Sequence, residues 1–146
     1  MKTIRVAHVG AFKRKSQADQ SRHVAAVAKI VEHDRNYFQD GIAEDIINLS
    51  YGRDFLREGK HYDVVIVHSV LSPKVRVPSK MCPRLQVSPD HTFKTWKKRL
   101  VSTGSKYISI CEGQPVTMNG WELGDLPGYR ILERDHLITL YQRKKA

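Results

Sequence analysis

The chain has little cysteine. Cys82 and Cys111 are the two thiols in 146 residues, too few for a disulfide framework and at no metal-ligand spacing. A reducing, cytoplasmic setting is therefore expected. Long apolar runs are also missing: no stretch approaches the roughly 20 residues of a membrane span. No apolar core of signal-peptide length follows Lys2 and Arg5, so no membrane partner is expected. Glycine-rich turns are absent as well. Gly10 stands alone after the first apolar run, without the fingerprint that cradles dinucleotide phosphates. The seven histidines include no i, i+4 pair, and Ser69 lacks a G-x-S-x-G setting. Neither a metal site nor a hydrolase elbow is expected.

Acid is missing from one place in particular. Between residues 70 and 106, Asp90 is the single carboxylate against nine Lys and Arg, a net +8 of the chain's +10. Residues 1–69 add +2 and residues 107–146 add nothing. So clustered an excess favours a polyanionic partner, nucleic acid or a nucleotide phosphate, and an acidic protein surface would answer the same charge. The candidate nucleic-acid-binding residues are Lys74, Arg76, Lys80, Arg84, Lys94, Lys97 and Lys98.

The apolar pattern alternates between strands and helices. Residues 3–12 read as a first strand, with Ile4, Val6, Ala7 and Val9 buried in a parallel sheet. A helix over about 17–34 follows, its stripe formed by Val24, Val27, Ala28 and Val31. A loop ended by Gly41 leads to a second strand within 42–49, centred on the run 45–49. A turn at Ser50–Arg53 and a short helix over about 53–60 come next. The run Asp63 to Val67, ending in His68 and Ser69, is continuous and should be covered on both faces. The long loop from Val70 to Val87 is stiffened by Pro73, Pro78 and Pro83 and is of a length that is usually functional. Ser88, Pro89 and Asp90 make a helix start, Phe93, Trp96 and Leu100 its apolar stripe, and Gly104 its stop. Residues 106–111 read as another strand. Beyond Pro127–Gly128, residues 129–133 and 136–142 read as an antiparallel hairpin at the sheet edge. Arg143, Lys144 and Lys145 read as a frayed basic tail. The expected fold is α/β, a Rossmann-like three-layer domain spanning 1–146, with a mostly parallel sheet and a C-terminal antiparallel hairpin.

Ligands of open α/β sheets sit beyond the carboxyl ends of the strands, near the switch in strand order. Here those ends supply Gly10, Phe12, Lys13, Ser50 and Ser69 as candidate ligand- or cofactor-binding residues. His68 and Glu112 end neighbouring elements, and a carboxylate beside an imidazole makes a workable general base. They are the candidate catalytic pair. Cys111, inside an apolar strand, reads as an inert core thiol. Tyr51, Trp121 and Tyr129 either stack on a base or pack in the core.

Two resemblances follow from these segments. Tyr62 to His68, the helix 89–103, the strand Lys106 to Ile110 and the pair Gly128–Leu132 and Leu137–Tyr141 resemble the second half of a class I S-adenosylmethionine-dependent methyltransferase. The likeness covers about residues 60–145. It implies a transferase, S-adenosylmethionine as cofactor and, with the basic stretch, nucleic acid as substrate. Separately, Arg5 to Gly10 and Tyr62 to Ser69 are similar to strands in the N-terminal domain of a two-domain glycosyltransferase, which implies a sugar-nucleotide-binding domain. A non-catalytic nucleic-acid-binding or inhibitor/adaptor module uses the same features without chemistry.

Overall fold

The computed structural model describes residues 3–10, 20–48, 61–68, 97–111, 125–134 and 138–145. In chain order these form β1 (Ile4–Gly10), α1 (Gln20–His33), β2 (Ile42–Asn48), β3 (Val64–His68), α2 (residues 97–102), β4 (Tyr107–Cys111), β5 (Tyr129–Arg134) and β6 (Ile138–Arg143). The six strands make one sheet in the order β2-β1-β3-β4-β6-β5. β2, β1, β3 and β4 pair in parallel, whereas β6 runs antiparallel to both β4 and β5.

The expected three-layer Rossmann-like fold with a mostly parallel sheet is overturned. The described residues are chiefly a mixed six-stranded sheet carrying two short helices. Helix is described over 20–33 and 97–102 where 17–34 and 89–103 were expected, and the short helix read over 53–60 lies outside the described residues. The sheet is mixed because the final strand turns inward. Ile138, Thr139, Leu140 and Tyr141 are all buried, as a strand covered on both faces must be. β5 carries exposed Arg130 and Arg134 and therefore suits the outer edge.

Apolar side chains bury on both faces of the sheet. On one face Ile4, Val6, Val64, Ile66, Tyr107 and Leu140 pack with Ala26 and Ile30 of α1. On the other, Ala7, Val9, Val65, Val67, Ile108 and Ile110 pack with Leu100 of α2 and with Tyr62, Leu126 and Tyr129. The period-two alternation within β1 and β3 divides each strand between the two clusters. Among the described side chains of α1, Ala26 and Ile30 are buried and the expected Val27 packs partly buried against that core, while Ala28 and Val31 are exposed, so the stripe is rotated from the expected one at those two positions.

Two turns position the hairpin and the end of α2. Leu126–Tyr129 closes with the Tyr129 amide on the Leu126 carbonyl at 2.9 Å, and Gly128 takes φ +84° after Pro127, the type II pattern. Gly104 ends α2 at φ +63°, as its place after the apolar stripe suggested.

Candidate functional site

Register aligns the carboxyl ends of the parallel strands in one row. Asn48 pairs with Gly10, Gly10 with His68, and His68 with Cys111. The order reverses at this row, because the chain passes from β1 outward to β2 and then back to β3 on the other side of β1. Gly10 and His68 thus stand side by side at the switch point, where such sheets leave a crevice. Gly10 presents backbone alone there, which allows a ligand to approach the strand end closely.

Of the expected site residues, Gly10 and His68 are brought together. Glu112 follows Cys111, the register partner of His68, but lies outside the described residues, as do Phe12, Lys13, Ser50 and Ser69. Lys74, Arg76, Lys80, Arg84 and Lys94 also lie outside them, with Tyr51 and Trp121. Lys97 and Lys98 stand on α2, Lys97 half-buried and Lys98 exposed. Tyr129 belongs to the core: it is buried, and its hydroxyl donates to the Ser105 carbonyl at 2.6 Å. Cys111 is buried beside Ser109, with Oγ and Sγ 3.6 Å apart.

The sequence at the strand ends of this row departs from the methyltransferase pattern for S-adenosylmethionine. The methyltransferase family has a glycine-rich turn after its first strand and an acidic residue at the end of its second. Here Gly10 is followed by Ala11 and Phe12, and the row position of β2 is Asn48. The carboxylates of β2, Glu44 and Asp45, sit in mid-strand. Asp45 accepts the Tyr62 hydroxyl at 2.7 Å, and Glu44 Oε1 lies 3.5 Å from Nε2 of buried His8. Among the described residues no cluster of three or more His, Cys, Asp or Glu could hold a metal ion, and no helix is long and apolar enough to cross a membrane.

The basic tail is where sequence reasoning missed most. Arg143 and Lys144 are not frayed: the Arg143 amide donates to the Lys106 carbonyl at 2.9 Å, and the Lys144 amide to the Gly128 carbonyl at 2.8 Å. Because β6 is antiparallel to β4, its last residues return to the start of β4 and bring the tail beside Lys106. The available signal was the buried run Ile138–Tyr141, which marks an interior strand. No protein-family model matches the chain, and no curated protein or solved structure is detectably similar to it.

Proposed function

We propose that the protein binds a polyanionic partner, a nucleic-acid strand or a nucleotide phosphate, through its basic 70–99 stretch. The supporting observation is where that stretch is anchored. The chain leaves β3 at His68, beside Gly10 at the switch point, and re-enters described structure on α2 with Lys97, Lys98 and Arg99 in succession. Eight cations over 70–99, with Asp90 the one acid, favour an anion at this stretch. Phosphate contacts of this kind carry affinity without sequence preference and release counterions. The test is binding of DNA and RNA oligonucleotides across a salt series. Affinity that falls steeply with salt supports the function, and absent or salt-independent binding removes it.

An enzymatic form, methyltransferase-like and acting on nucleic acid, draws on the antiparallel β5–β6 hairpin that carries part of the resemblance. In it His68 serves as general base with Glu112 orienting the ring. With Asn48 in the acidic position and Gly10 alone, no transfer step is assigned to S-adenosylmethionine. Calorimetry separates the two forms. Saturable heat with S-adenosylmethionine, lost in His68→Ala, supports the enzyme, whereas its absence leaves the binding function alone.

A further inference from the structure

We infer that a cleft at the amino end of the sheet, remote from the switch-point row, is a second anion site that takes closely spaced phosphates. Lys106, Arg130, Gln142, Arg143, Lys144 and Lys145 line a cavity of about 1070 Å³. Among these described lining residues, five of the six are cations. Lys106 precedes β4 and Cys111 ends it, so the cleft lies about 16 Å from the row at ~3.3 Å per strand residue.

The fold builds this cluster from three separate segments. Arg130 pairs across the hairpin with Gln142, Tyr107 pairs with Gln142 from the other side, and the Arg143 and Lys144 amides are fixed to Lys106 and Gly128. Arg130 gives Nε and Nη2 to Gln142 Oε1, while Gln142 Nε2 donates to the Tyr107 hydroxyl at 3.2 Å. That hydroxyl donates in turn to Asp34 Oδ2 at 3.1 Å. The guanidinium is therefore aimed by a neutral amide, which orients the charge without cancelling it. Three of its five N–H donors stay available for an oxyanion fork. Arg143 likewise spends Nη1 on a neutral acceptor, the Gly104 carbonyl at 2.6 Å. Among the described residues, the carboxylate that meets the cleft's cations is Asp34, 3.3 Å from Lys106 Nζ.

Arg130 and Arg143, aimed by neutral acceptors, favour an anion of matching charge density, and arginine forks favour phosphate. Five cations over a volume this large suit several linked phosphates better than one. Such a chain is either a free oligophosphate or a nucleic-acid backbone.

The test uses the full-length protein at low salt with two probes, inorganic tripolyphosphate and a single-stranded oligonucleotide without terminal phosphates. The variants are Arg130→Gln with Lys144→Gln, and separately Lys97→Gln with Lys98→Gln, each checked for an unchanged far-ultraviolet spectrum. Tripolyphosphate should raise the melting temperature of the wild type, and the Arg130/Lys144 variant should bind it at least about tenfold more weakly. Placed in the Lys97/Lys98 variant, the Arg130/Lys144 change should cost the same further fold in tripolyphosphate affinity as it does in the wild type, which keeps this site distinct from the proposed 70–99 function. If the oligonucleotide loses affinity in the Arg130/Lys144 variant, the natural source is a nucleic-acid backbone; if only tripolyphosphate does, it is a free oligophosphate. No binding of either probe, or binding undiminished in the Arg130/Lys144 variant, overturns the inference.

Discussion

Tyr129 donates its hydroxyl to the carbonyl of Ser105 at 2.6 Å, tying the first residue of the outer strand to the turn that leads into β4. Ser105 Oγ continues the chain to the Tyr62 carbonyl at 2.6 Å, and the Tyr62 hydroxyl ends it on Asp45 at 2.7 Å. The relay runs from β5 to β2 and satisfies polar groups inside one of the two cores. Removing the Tyr129 hydroxyl leaves the buried Ser105 carbonyl without that donor. Tyr129→Phe should lower stability by about 1–3 kcal/mol, read as a lower urea midpoint at unchanged slope.

Much of the strand framework was legible in the sequence because continuous apolar runs such as Val64–Val67 leave few alternatives. The phase of α1 was not legible. Val24 to Val31 is apolar around most of the helix, so several stripes fit the 3.6 period, and bulky Ile30 takes the core position. The place of β6 depended on a comparison between strands: its four buried residues outrank the charged β5 for the interior. The amino-end cleft was illegible for a related reason. Lys106, Arg130 and Arg143 are far apart in sequence and meet only through the antiparallel return of β6. At the switch point, Gly10 and His68 were readable as strand ends, but their direct pairing required the register.

Gly104 ends α2 at φ +63°, a conformation that a side chain resists. An added Cβ would meet Arg143 Nη1 at 3.5 Å, an ordinary contact, so the backbone angle dominates the cost. Gly104→Ala should destabilise by about 1–2 kcal/mol, and Gly104→Asn by less, because asparagine tolerates this region better. Thermal unfolding of the two variants side by side checks the order.

Burial, followed by the charge of Asp34, pushes the Tyr107 hydroxyl up to about 12. Because the folded state holds this proton more tightly than the unfolded chain, its contribution is complete below the ordinary value of 10.0. It is then lost as pH rises from there toward about 12. Stability should therefore fall across that alkaline window, and in Tyr107→Phe the fall should be shallower. Denaturant midpoints measured alongside tyrosinate absorbance give the comparison.

Glu133 bridges α1 and β5, with Oε1 2.6 Å from Lys29 Nζ and Oε2 3.3 Å from His33 Nε2. The Lys29 hydrogen bond, with help from His33, holds its carboxyl below the ordinary value of 4.5. For a lowered carboxylate the stabilisation is present above 4.5 and lost as pH falls through the folded-state value. Glu133→Gln should cost up to about 1 kcal/mol at neutral pH, since the carboxylate is partly exposed. The variant and the wild type should converge in melting temperature as pH drops below 4.5. A gap that persists in acid would mean that packing, rather than charge, holds the strand to the helix.

The proposed polyanion binding makes its own quantitative demand on α2. Lys97 and Lys98 are exposed to different degrees on one short helix, and each phosphate no longer neutralised should reduce the slope of log affinity against log salt by about 0.7–0.9. Replacing both lysines with glutamine should therefore flatten the slope by about one to two units while leaving the melting temperature nearly unchanged. Weakening of the same size for oligonucleotides of different sequence is expected, because bonds to phosphate carry no base information. If the affinity loss instead depends on base sequence, the lysines read bases and must reach into a groove. If slope and affinity stay at wild-type values, α2 is not part of the interface, and the binding surface must be sought elsewhere.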